Sequence, residues 1–226
     1  TVYGGAGADA INITGGTNNQ IIGGSGADTI TISGATVSTN TITGGSSGLD
    51  VITVSIGNNM IKGGVGADTI NISGGSNTVT GGAGVDTVSL TGGTTTFTGG
   101  TGADKITMSG GTNTITGGTS GLDVFNLTGG TSNTITTVGA DTMTITGGTN
   151  NQITSGAGGS NITISNTSTN TITGGTSGLD IITASAGTNT IKGGAGADAI
   201  NISGGENTIT GGAGVDTVSL TGGTTT

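Results

Sequence analysis

The chain of 226 residues contains no Cys, no Pro, no His and no Trp, with a single Tyr and two Phe. Without Cys there can be no disulfide, a lack that fits secretion but says little about compartment. Without His, Cys or Arg, the usual acid–base and nucleophilic groups of an active site are missing, which argues against an enzyme. The only basic residues are Lys62, Lys105 and Lys192, set against a formal net charge of −9. A nucleic-acid backbone is therefore excluded as a partner, and the uncompensated acids point to bound cations. No apolar run is long enough to form a transmembrane segment, and no signal-peptide pattern stands at Thr1. So few aromatic and charged side chains do not make an ordinary globular domain. What remains is either a disordered Gly/Thr linker or a repeat with a thin core.

Periodicity decides between them. Asp9, Asp28, Asp50, Asp68, Asp86, Asp104, Asp123, Asp141, Asp180, Asp198 and Asp216 recur at steps of 18 residues or slightly more, and Ser160 occupies the slot in the one long gap. Twelve copies of one unit result, clearest at 63–80 as GGVGADTINISGGSNTVT. After each Asp slot the apolar residues fall two apart, as in Ile30/Ile32, Ile70/Ile72 and Phe125/Leu127, with Thr, Asn or Ser between them. Such alternation of β-branched residues marks a strand with one buried face. A second strand in each unit adds one inward residue, for example Ile42, Val79 or Phe97. The period is too short for two packed helices but fits a coil of two short strands and two turns. A coil burying about three aliphatic side chains cannot fold alone, so stacking is obligatory.

The motif GGxGxDxUx, with U a large apolar residue, appears at 4–12, 23–31, 63–71, 81–89, 99–107, 193–201 and 211–219. It resembles the RTX calcium-binding repeat of bacterial surface-layer proteins and adhesins. The resemblance implies an all-β, right-handed parallel β-roll of about twelve coils in which Ca²⁺ is held by turn carboxylates and backbone carbonyls. The eleven Asp residues above become the candidate metal ligands. With them go the motif glycines Gly5, Gly7, Gly24, Gly26, Gly64, Gly66, Gly82, Gly84, Gly100, Gly102, Gly194, Gly196, Gly212 and Gly214. Ca²⁺ takes six to eight oxygen ligands, and glycine lets carbonyls converge. A column of carboxylates one strand spacing apart, about 4.8 Å, repels itself unless divalent cations intervene.

Only one turn per coil carries the acid; the other reads SGGTN or SGGSN, with Glu206 its sole acid. A single calcium column along one edge is therefore expected. GGSSGLD (44–50) and GGTSGLD (117–123 and 174–180) carry an extra residue, TTVGAD (136–141) lacks the leading GG, and SGAGGS (155–160) lacks the acid, so the site at Ser160 is expected to be weak or empty. The opposite edge carries its own column, from Asn19 and Asn40 to Asn207, broken by Thr95. Stacked amides there can hydrogen-bond along the solenoid.

Residues 174–226 closely match 44–96, an offset of 130 residues or seven coils. One continuous solenoid over 1–226, an internal segment of a longer repeat protein, is expected. The function that follows is a calcium-stabilised structural repeat, secreted or on a bacterial cell surface, self-associating in a surface-layer or similar array, with cell-surface polysaccharide a further candidate partner. The alternatives are a stalk or ice-binding segment of a large RTX adhesin, whose Thr-x-Thr strands would form the face, and the folding repeat of a secreted toxin or hydrolase.

Overall fold

The computed structural model describes residues 1–34 and 38–226. The described residues form a parallel β-solenoid of about twelve coils with no helix. Odd-numbered strands in chain order build a 13-stranded sheet and even-numbered strands a 12-stranded sheet, each strand pairing with its counterpart one coil away. Asp, Ser or Gly carbonyls at the turns continue the ladder between coils, as in Thr69 N–H to Asp50 O and Ser76 N–H to Gly57 O. Backbone donors are thus satisfied around nearly the whole coil, which stacking alone makes possible.

The inward positions stack in register, one residue type on another. Ile52 pairs with Ile70, Val54 with Ile72 and Ile61 with Val79. The resulting core is a single file of aliphatic side chains between two sheets, fully buried from Ile21 to Ile202 and widened by Phe97 and Phe125. In the final coil Val218 and Leu220 are exposed, because their strand has a neighbour on one side only. The outer faces carry Thr, Asn and Ser.

The acid-bearing turn is less of a turn than the motif implies. In regular coils the strand runs on through the paired glycines, as in Ser76–Ala83 and Thr188–Ala195. It stops earlier in Thr112–Thr116, Ser132–Thr136, Asn151–Thr154 and Thr169–Thr173. Those four strands precede the motifs with an extra residue, a missing GG or a missing acid, so a local irregularity ends the ladder. At 44–50 the extra residue is absorbed differently. Gly24 pairs with Gly45 but Ser25 with Ser47, which leaves Ser46 as a bulge.

Candidate metal centre

Parity places the acids. Each Asp stands immediately before a strand and two residues before its first inward apolar side chain, so Asp50, Ile52 and Val54 share one parity and are all buried. From Asp28 to Asp198 every Asp side chain is buried. Within the stack the backbone N–H of one Asp donates to Oδ1 of the Asp in the next coil: Asp9 to Asp28 at 2.9 Å, Asp28 to Asp50 at 2.8 Å, Asp86 to Asp104 at 2.9 Å and Asp198 to Asp216 at 3.0 Å. Ser160 preserves this chain of bonds, its hydroxyl accepting from Asp141 N at 3.2 Å while its own N–H donates to Asp180 Oδ1 at 2.7 Å. The geometry survives in that coil; the charge does not.

From Asp28 on, the bond from the preceding coil accounts for one oxygen of each carboxylate and in most coils leaves the other without a partner. Oδ2 of Asp9, Asp28, Asp50, Asp68, Asp86, Asp104, Asp141 and Asp198 is buried with no hydrogen-bond partner. A buried, unpaired carboxylate oxygen costs several kcal/mol, and eight along one edge, six of them in consecutive coils, demand a counter-charge. Two coils differ. Asp123 Oδ2 accepts from Gly118 N at 2.8 Å and Asp180 Oδ2 from Gly175 N at 2.6 Å, both in turns with the extra residue. Burial first, then the like charges of Asp104 and Asp68, push the Asp86 carboxyl up to about 6 against the opposing bond from the Asp68 amide. Burial also raises Asp50, Asp68, Asp104, Asp141 and Asp180.

The glycines named from the motif all sit at positive φ, from 109° at Gly7 to 147° at Gly196. A side chain there would meet an unfavourable backbone conformation and, at all but Gly5 and Gly7, the carbonyl of the coil before. Sequence reasoning missed the first glycine of each pair. A Cβ at Gly4 would lie 2.7 Å from Asp9 Oδ2, and at Gly44 and Gly63 2.6 Å from Oδ2 of Asp50 and Asp68. The signal was present: Gly44 shares the inward parity of Asn40 and Ile42, which sets it beneath the carboxylate of its own turn.

These residues fit a hard divalent cation. The donor set is all oxygen, and the orphaned Oδ2 atoms face a glycine cradle that any side chain would fill. Among the described residues no three acidic side chains come together. Backbone carbonyls must therefore complete the six to eight ligands that Ca²⁺ requires.

The opposite edge carries amides instead. Asn40 Nδ2 donates to Asn59 Oδ1 at 2.7 Å and Asn59 to Asn77 at 2.8 Å; the run resumes from Asn113 through Asn133 and Asn151 to Asn207. The second amide hydrogen caps the local turn, as in Asn77 to Gly74 O at 2.9 Å. Thr95 interrupts the ladder, and Thr95 Oγ1 and Asn113 Oδ1 are both left buried without a partner. Glu206, the one acid on this side, is exposed.

No curated protein and no solved structure matches the chain. The family model for the RTX calcium-binding nonapeptide repeat (4 copies) matches residues 13–31, 44–79, 73–97, 89–120, 174–202 and 203–226, well over half of the sequence. With the motif glycines at positive φ and the inward acid column beside them, the chain belongs to the RTX calcium-binding repeat family.

Proposed function

We propose that the chain is a calcium-stabilised extracellular structural repeat, part of a bacterial surface layer or comparable surface assembly, and not an enzyme. The observation that carries this is the file of eight buried, unpartnered Oδ2 atoms on one edge. A bound calcium ion supplies the positive charge that such a file lacks. The eleven Asp residues and the paired glycines beside them would hold it, in a single column, because the other edge offers amides already bonded to one another. Asp123 and Asp180, whose second oxygen has a backbone donor, and the neutral Ser160 would be its weaker positions.

Calcium is scarce in the cytosol, so the chain would stay unfolded there and coil outside the cell, its binding energy serving as folding energy. Far-UV circular dichroism before and after chelation with EGTA tests this. Loss of the β signal on chelation and its return with calcium are expected; an unchanged signal overturns the proposal. The long uninterrupted array, its seven-coil super-repeat and its low density of charge support assembly. A regular two-dimensional or filamentous lattice by electron microscopy is the expected outcome, and solitary particles at all calcium levels would count against it.

A further inference from the structure

The residue immediately before each Asp slot stands on the outer rim of the acid edge. Along twelve coils it reads Ala, Ala, Leu, Ala, Val, Ala, Leu, Ala, Gly, Leu, Ala, Val. From the third coil on, a large aliphatic alternates with a small residue. The large ones are exposed: Leu49 by 61%, Val85 by 55%, Leu122 by 65% and Leu179 by 52%. Neighbouring coils are one strand spacing apart, so the knobs recur at about 9.6 Å with an alanine between. Elsewhere the outer surface is mostly Thr, Asn and Ser, with exposed apolar residues such as Met60 and Val65 scattered singly, and a soluble surface has no need of a regular apolar file.

The internal super-repeat shows that the file is specific. Between 44–96 and 174–226 outward apolar residues off the rim lose their bulk where Met60 becomes Thr190 and Val65 becomes Ala195, while Val51 becomes Ile181. The rim residues keep their size, Leu49 with Leu179, Ala67 with Ala197, Val85 with Val215. Seven coils is an odd number, so strict alternation must slip once per super-repeat. The slip falls at Ala140 and Gly159, two small residues in succession, the second in the coil without an acid.

We propose that this rim is a lateral interface between two copies of the chain, the aliphatic knobs of one edge seating over the alanines of the other. Alternation of large and small is self-complementary when one copy shifts by a coil, which a second copy can exploit and a lipid surface cannot. Each knob precedes an acid of the buried column, and eleven of the twelve acids lie on this edge. Two bare edges repel one another; neutralised edges can meet. The interface thus rests on the calcium column proposed above and makes association calcium-dependent.

Sedimentation velocity with circular dichroism on the same samples tests the interface on the 226-residue chain and on the triple variant Leu49→Ser, Leu122→Ser, Leu179→Ser. In millimolar calcium the parent chain is expected to sediment as a dimer or larger species and the variant as a monomer, with the same β signal and the same calcium midpoint. A folded parent that stays monomeric in calcium overturns the interface while leaving the calcium column standing, as does a variant that associates like the parent. A β signal indifferent to chelation overturns the calcium dependence; loss of association in the variant under metal-free conditions would then still support the rim contact. A parent that is monomeric alone but co-sediments with phosphatidylcholine vesicles, while the variant does not, would overturn the interface in favour of lipid.

Discussion

Asp86 carries the conflict on which this molecule turns. Its side chain is buried between those of Asp68 and Asp104, with one oxygen bonded and the other bare. Its pKa rises from the usual 3.8 to about 6 on folding. The metal-free folded chain therefore binds more protons than the unfolded chain between those values. Its stability is greatest below about pH 4, falls as pH rises through the interval and levels off above about 6. The far-UV β signal of the metal-free chain should be greater at pH 4.5 than at pH 7.5; the reverse order would contradict the buried-carboxylate picture. With calcium the trend should invert, since protons and metal compete for the same oxygens. Asp86→Asn keeps an acceptor for the Asp68 amide and removes the charge. It should stabilise the metal-free chain at pH 7.5 by roughly 1–3 kcal/mol, raising its residual β signal, and weaken the response to calcium, both read in one calcium titration by circular dichroism. At this scale the sequence was informative about what recurs. The acids and the positive-φ glycines are motif positions, and the parity of D-x-U points the acid inward. It did not single out the first glycine of each pair, because that glycine matters through a contact rather than through its own backbone angle.

Among the elements, the asparagine edge behaves as a second ladder beside the backbone one. Its column was visible from spacing alone, since only a residue at fixed offset from the strand can stack on itself. The break at Thr95 leaves Thr95 Oγ1 and Asn113 Oδ1 buried and unbonded. Thr95→Asn should join the two runs, accepting from Asn77 and donating to Asn113. A gain of about 1–2 kcal/mol in unfolding free energy is expected in calcium. A destabilised variant would show that the coil has no room for the amide beside Phe97. Strand lengths were less accessible. The paired glycines look like turn residues by composition, yet in regular coils the stacked coil before and after holds them extended. The tertiary ladder overrides the local preference, and fails to do so where an extra residue or a missing glycine disturbs the register, as after Thr116 and Thr154.

For the whole molecule, coil number and coil order follow from the period, since each unit can pair only with its neighbours. Lateral contacts did not follow from it. They depend on exposure, which a repeat motif leaves open at its variable positions. Because 174–226 repeats 44–96, deleting residues 44–173 joins Thr43 to Gly174 in the same local sequence that surrounds Gly44. The shortened chain should fold in calcium with an unchanged β signal per residue and a denaturant dependence reduced with its buried surface; a chain that stays unfolded in calcium would show that stability needs more coils than remain. Both edge columns carry their hydrogen bonds in one sense, the Asp amide and the Asn Nδ2 of each coil donating towards the following coil. At these two columns any section through the solenoid thus has unlike sides, donors on one and acceptors on the other. Segments of such a rod can be joined in one polarity only, as the halves of a zip close from one end. Length can then change by whole coils, through recombination between its own repeats, without any junction having to be invented.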